Sequence, residues 1–225
     1  MTRGQLNVAE GYRARKDEQK RERREAILAA ASELFRTADL NEVSMAQVAR
    51  KCGLAKGTVF FYFKTKEGLF LALAEQKMEM WHRHFNRLLE ASGNDLRRPD
   101  DYVDLLEASI REHPDVIRLY TLLDSTLERN VDPETGYRFK RFLKRNLTMT
   151  GALMEDRMPF LGEGDGFFLL LSTFVFICGI FPMSNPSGSM KEVLARPGME
   201  VFDVDFAETF RKMMQVFIRG MQRQT

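Results

Sequence analysis

The chain has 225 residues, room for one or two domains with a proper core. Its 34 Lys/Arg against 32 Asp/Glu leave a formal net charge of +2, too small to assign or exclude a partner by overall charge. No secretory signal is expected from the polar, charged start, and two cysteines, Cys52 and Cys178, in well-separated segments read as buried free thiols of a reducing cytoplasm.

The distribution of charge says more. Residues 1–70 carry 14 Lys/Arg against 9 Asp/Glu, and residues 71–225 carry 20 against 23. A basic first third joined to a mildly acidic remainder suits a chain that puts one end on phosphates. Residues 1–20 hold Arg3, Arg13, Arg15, Lys16 and Lys20 without apolar periodicity. They are expected to form a basic flexible arm, solvated in the free protein and able to settle on a DNA backbone or minor groove.

From about Arg21 to Thr37, Ile27, Leu28, Ala31, Leu34 and Phe35 recur at three- and four-residue steps and predict a helix. Asp39-Leu40-Asn41 breaks it. Ser44 followed three residues later by Gln47 is a capping-box start, and Val48, Ala49 and Cys52 give that helix a small apolar face. Gly53 stands where this helix must stop, because glycine takes the left-handed conformation without a Cβ clash. Leu54 plugs the elbow, and a second helix runs from about Lys56 to Tyr62. Two short helices across a tight turn make a helix-turn-helix unit, which lays its second helix in the DNA major groove.

Thr65 caps a long helix from Lys66 to about Ala91, with Leu69, Phe70, Leu73, Met80, Trp81, His84, Phe85 and Leu88 as its stripe. The remainder also reads as helix: about Asp100–Glu112, about Asp115–Glu128, and a segment starting at Asp132-Pro133 and reaching about Met158. Phe167 to Phe181 is apolar almost all round. At roughly fifteen residues it falls short of the ~20 of a membrane span, so it is expected to be buried on every side, in a body or a subunit interface. Residues 182–204 hold Pro182, Pro186, Gly188 and Pro197-Gly198 and are expected to be mostly loop, with a turn of helix near Met190–Leu194. Asp205 with Glu208 opens a last helix lined by Phe206, Phe210, Met213, Met214, Phe217 and Met221. The fold class is all-α. His82 and His84, two apart on a helix, face different ways, so no metal site is expected, and no cofactor.

The run SMAQVARKCGLAKGTVFFYFKTKEGLF, with the helix before it, resembles the signature of the TetR family of bacterial transcriptional regulators over about residues 22–75. The resemblance implies an all-helical homodimer: a three-helix DNA-binding head and a larger body that binds a small effector. The division it implies is an arm over 1–20, a DNA-binding domain over 21–81 with its motif at 44–63, and an effector-binding and dimerisation domain over 82–225. Carried over by position, Ser44 would cap and also meet a phosphate, with Met45 and Gln47 as secondary contacts. Lys56, Gly57 and Thr58 would open the recognition helix, Phe61 and Tyr62 would touch the backbone, and Lys66 would hold a phosphate. Ala55 departs from the family's usual N-cap serine, and Phe60 from its common tyrosine; Phe60 and Phe63 are expected in the core.

In the body, Phe85, Tyr102, Tyr120, Phe139, Phe142 and Phe174 line an apolar effector pocket or are ordinary core. With 18 Phe and 13 Met the effector is expected to be lipophilic or aromatic. The resemblance pairs the last two long helices across the dimer, through Phe168, Phe176, Phe210, Met214, Phe217 and Met221. Arg138, Lys140, Arg141, Lys144 and Arg145 mark an anion site or a solvated helix face. The expected function is a ligand-responsive, DNA-binding regulator, a cytoplasmic repressor of a palindromic operator. The alternatives, an enzyme or a helical adaptor that only dimerises, have no nucleophile–base pair, metal-ligand spacing or phosphate-binding loop to support the first and no DNA role in the second.

Overall fold

The computed structural model describes residues 3–93 and 96–222, with the backbone alone at 3–14, 124 and 125. Ten α-helices appear among the described residues: α1 (Arg3–Thr37), α2 (Met45–Lys51), α3 (Lys56–Tyr62), α4 (Lys66–Ala91), α5 (Pro99–Glu112), α6 (Asp115–Leu122), α7 (Pro133–Arg157), α8 (Asp165–Ser184), α9 (Gly188–Leu194) and α10 (Phe206–Gln222). The chain divides into two compact units, Met1–Leu73 and Ala74–Thr225, so the division falls inside α4 and earlier than residue 82.

In the first unit, Ile27, Leu28, Ala31 and Phe35 of α1, Val48 and Ala49 of α2, Val59 of α3 and Leu69 and Phe70 of α4 are buried, with α2 packed on both α1 and α3. The Phe35 and Phe70 rings meet edge-on at 5.6 Å. Helix α1 begins at Arg3, so the segment expected as a flexible arm is helical in its backbone. The reason is propensity: residues 13–24 are nearly all Arg, Lys, Glu, Gln and Ala, strong helix formers that need no apolar stripe.

In the second unit, α8 packs against α6, α7 and α10, and α10 packs also on α5. Several local starts follow the expected chemistry. Asp132 caps α7 by accepting from the Thr135 N–H at 3.0 Å, and Asp205 accepts from Glu208 N–H at 2.7 Å. Other expectations change. The buried residues of α4 are Leu69, Phe70, Leu71, Leu73, Ala74, Met78, Trp81, His82, Phe85 and Leu89, whereas Met80 is exposed and His84 and Leu88 are half-buried. The helix after Asp115 leaves α geometry early, in a π turn over Leu123–Leu127. Residues 182–204 hold more helix than loop: α8 runs through Pro182 to Ser184, α9 follows, and Glu200–Phe202 is a 3-10 turn.

Helix α8 is not buried on every side within the chain. Leu169, Leu170, Thr173, Phe174, Ile177 and Ile180 are buried, but Phe168 is 52% and Val175 61% exposed. With Pro182 inside it, the helix has 20 residues, which by length and composition alone is enough to cross a membrane. Cys178, expected to be buried, is exposed on this helix; Cys52 is half-buried, and neither is held in a disulfide.

Candidate functional site

The α2–α3 pair is built from local chemistry. Ser44 caps α2: its Oγ accepts from the Gln47 N–H at 3.3 Å, and Gln47 Oε1 accepts from the Ser44 N–H at 2.7 Å and its hydroxyl at 2.8 Å. The helix stops at Gly53, with φ +68°. There the Gly53 N–H donates to Arg50 O at 3.3 Å and the Leu54 N–H to Ala49 O at 3.0 Å, the paired bonds of a glycine-terminated helix end. Helix α3 follows Ala55 as N-cap, without any side-chain cap.

Val59 and Phe63 turn inward and are buried, which fixes what the rest of α3 presents. Lys56 and Gly57 are exposed, Thr58 and Tyr62 half-buried, and Phe61 is 64% exposed. Phe60 is half-buried beneath Lys56, whose Nζ lies 5.7 Å from the ring centre. Ser44 and Gln47 are exposed at the start of α2. Met45, expected as a secondary contact, is instead buried in the core of this unit: the residue after the cap turns inward with Val48 and Ala49. Lys66 is half-buried and donates to the Leu40 carbonyl at 3.0 Å, which uses one of its three N–H bonds. Thr65 caps α4 through the Gly68 N–H at 2.9 Å.

Two cations join this face from α1. Lys20 Nζ stands 5.9 Å from the Phe61 ring, and the Arg24 guanidinium 5.4 Å from the Phe63 ring. Lys20 was expected in a flexible arm and Arg24 had no assigned role. Their signal in the sequence was the four-residue spacing, which puts both on one face of a helix. Lys51, by contrast, is engaged at 2.6 Å by Glu33, whose carboxyl that bond and charge hold below its ordinary range. The resulting surface offers exposed ammonium groups, backbone N–H groups at the start of α3, hydroxyls and one projecting phenyl ring. That set suits a phosphate backbone with base edges beyond it.

In the second unit, four of the six expected pocket residues converge. Trp81 stacks on Phe85 at 5.1 Å and meets Phe174 edge-on at 5.4 Å; Tyr120 stacks on Phe174 at 3.9 Å, and Phe85 meets Tyr102 at 6.2 Å. Phe139 and Phe142 form a separate pair at 6.0 Å, all six being buried. Around the rings, Trp81 Nε1 donates to Ser109 Oγ at 3.0 Å, and the Tyr102 hydroxyl pairs with Thr173 Oγ1 at 2.9 Å. The basic segment of α7 borders an open cleft of about 760 Å3 with Tyr137, Arg138, Arg141, Arg145 and Met149 on its walls. Arg145 meets Glu79 at 3.2 Å and Lys140 meets Glu128 at 2.8 Å.

Of the residues expected at a subunit interface, Phe168 is exposed and Phe176, Phe217 and Met221 are half-buried. Phe217 lies 5.6 Å from Phe168 and 5.5 Å from Phe176. Phe210 and Met214 are corrected: both are buried inside the chain, on the face of α10 that packs against α5 and α8. The large apolar residues of α10 that stay exposed are Met213 and Val216.

Comparison with known families matches residues 27–73 to "Bacterial regulatory proteins, tetR family" and residues 75–225 to "Tetracyclin repressor-like, C-terminal domain". Among curated proteins, the chain is 27% identical over 122 residues to the HTH-type transcriptional regulator RutR of Escherichia coli K12, covering 54% of this chain and 55% of that protein. It is 29% identical over 101 residues to the HTH-type transcriptional regulator EthR of Mycolicibacterium smegmatis, covering 44% and 46%. The chain thus spans about half the length of the curated relatives it matches. A TetR transcriptional regulator from Rhodococcus sp. RHA1 shares the fold, with a TM-score of 0.53 at 20% identity over 88% of this chain and 96% of that one.

Proposed function

The chain belongs to the tetR family of bacterial regulatory proteins, and on that premise we propose that it is a ligand-responsive repressor acting as a homodimer on a palindromic operator. The observation that carries this reading is the outward face of α3. The Gly53 turn and the inward Val59 and Phe63 leave Lys56, Gly57 and Phe61 exposed, with Thr58 and Tyr62 half-buried beside them. Lys56, Gly57 and Thr58 enter the major groove and read base edges. Ser44, Gln47, Phe61, Tyr62 and Lys66 hold the sugar-phosphate backbone, joined by Lys20 and Arg24 of α1 and by the basic segment that precedes them.

Two copies pair through α8 and α10. Phe168, Leu171 and Val175 of α8 and Met213 and Val216 of α10 are apolar and exposed in the single chain, and Phe176, Phe217 and Met221 sit half-buried beside them. Covering such a surface favours association, and it gives the apolar α8 a protein partner in the cytoplasm in place of a membrane. The two heads then read half-sites one helical turn apart. A lipophilic or aromatic effector enters the aromatic cluster of Ala74–Thr225 and binds more tightly to the state whose heads no longer match that spacing.

The test is selection of bound fragments from the source genome, followed by binding to the selected duplex across a salt series. A palindromic site bound with affinity falling steeply in salt is the expected result. Binding to no duplex at low salt would discard the reading.

A further inference from the structure

Most polar side chains buried in Ala74–Thr225 are paired, and three of the exceptions gather in one place. Among the described residues, His82 Nε2, Asn86 Oδ1 and Tyr120 Oη are buried without a hydrogen-bond partner. His82 and Asn86 are four residues apart on α4 and share a face. The His82 and Tyr120 rings both lie against Phe174 of α8, edge-on at 6.5 Å and stacked at 3.9 Å. His82 and Tyr120 are each more than nine-tenths buried. Unpaired buried polar atoms are uncommon in native cores, and each calls for an explanation.

We propose that His82 Nε2, Asn86 Oδ1 and Tyr120 Oη form the polar end of an effector site centred on Phe174, and that this site takes an uncharged aromatic ligand bearing a hydroxyl. The proposal rests on the reading of this unit as an effector-binding body and names the ligand class. Asn86 Oδ1 accepts, the Tyr120 hydroxyl both donates and accepts, and His82 Nε2 takes either role according to the tautomer set beside Thr150 Oγ1, 3.0 Å from Nδ1. A ligand hydroxyl donates once and accepts once, so it answers two of the three atoms. The Phe174, Phe85 and Trp81 rings take the ligand's apolar part.

Charge decides the class. None of the three unpaired atoms belongs to a charged group. Among the described residues the buried polar side chains, His82, Ser109, Asn146, Thr150 and Thr173, carry no charge, burial holding the His82 imidazole neutral. A carboxylate or ammonium would enter without a counter-charge, at a cost that a neutral hydroxyl avoids. The segment next to Tyr120 is suited to yield. Helix α6 is eight residues long and runs into the π turn Leu123–Leu127, a geometry that is rare and frequent at functional sites. A shift there separates the Tyr120 and Phe174 rings and admits a flat molecule.

Three probes share one ring system and differ in the polar group: 1-naphthol, naphthalene and 1-naphthoate. Each is titrated calorimetrically into the full chain without DNA. 1-Naphthol is expected to bind about tenfold more tightly than either of the others, and Tyr120→Phe to remove that advantage while leaving naphthalene binding unchanged. A second measurement uses no ligand: since the hydroxyl is unpaired, Tyr120→Phe leaves the melting temperature of the free protein the same or higher. Absence of 1-naphthol binding, equal binding of 1-naphthoate, or a clearly lower melting temperature for Tyr120→Phe overturns the proposal. Failure of the regulator reading shows separately, as absence of salt-dependent duplex binding by the same protein, and leaves these titrations standing.

Discussion

Gly151 of α7 and Gly166 of α8 meet backbone to backbone. A Cβ added to Gly151 would stand 2.5 Å from the Phe167 nitrogen, and one added to Gly166 would fall on the Gly151 carbonyl oxygen. Neither neighbour is a flexible side chain, so no rotamer change relieves the clash. The two glycines therefore set how closely α7 and α8 cross, and α8 carries both the aromatic cluster and the exposed apolar face. Gly166→Ala is expected to destabilise the protein by about 3 kcal/mol, at the upper end of overpacking costs. Urea unfolding of the variant measures it; a loss below about 1 kcal/mol would show that the crossing relaxes cheaply.

Ala55 precedes α3 as its N-cap with extended backbone, φ −64° and ψ 143°, and no side-chain acceptor for the free N–H groups that follow. A serine there supplies the missing acceptor. Ala55→Ser is expected to raise stability by roughly 0.5–2 kcal/mol, read as a higher urea midpoint with unchanged slope. An unchanged midpoint would mean that the uncapped start costs the head nothing.

Lys66 donates to the Leu40 carbonyl, which leaves two further N–H bonds for the phosphate contact proposed for it. Lys66→Ala should weaken binding to every duplex by a similar factor. It should also flatten the salt dependence, by about 0.9 in the log–log slope for each phosphate that is no longer neutralised. Changing Thr58 or Lys56, at the opening of α3, should instead alter which sequence is preferred. If Lys66→Ala leaves both the affinity and the slope unaltered, Lys66 is a structural residue only.

Local chemistry was readable in the sequence, and long-range packing was not. Ser44, Gln47 and Gly53 declare a capped helix and its stop within ten residues, because each acts on backbone groups beside it. The inward turn of Met45 depends on where α1 and α4 lie. Helix α1 lacks an apolar stripe before Glu25 and so gave no periodic signal, although its composition over residues 13–24 favours helix. Helix α10 has apolar residues on two faces, and periodicity alone cannot say that Phe210 and Met214 turn into the chain while Met213 and Val216 remain outside. The three glycines Gly162, Gly164 and Gly166 read alike as breakers. Only Gly164 takes a left-handed φ, and Gly166 lies inside α8 as a packing residue.

Val175 is the most exposed large apolar residue of α8, at 61%, so a charge placed there can reach solvent in the single chain. Val175→Arg should leave the melting temperature of dilute protein almost unaltered, yet shift light scattering from dimer to monomer. Its affinity for a palindrome should fall to that of a single half-site. A dimer that survives this substitution would place the subunit contact on another surface.

His82 links the stability of the body to pH. Burial lowers its pKa to about 3 against an ordinary 6.5, and its Nδ1 pairs with Thr150 Oγ1 at 3.0 Å. Below pH 6.5 the unfolded chain binds a proton that the folded form refuses until about pH 3. Acid therefore favours unfolding: the contribution is whole above the unfolded pKa and is lost progressively as pH falls toward the folded one. At a little over 1 kcal/mol per pH unit, about 2 kcal/mol is gone by pH 5. His82→Gln keeps a polar group for Thr150 and does not titrate. Urea unfolding at pH 7 and pH 5 should then show a smaller acid loss in the variant, by about that amount. Equal losses in the two proteins would mean that the imidazole is reached by solvent and protonates in place.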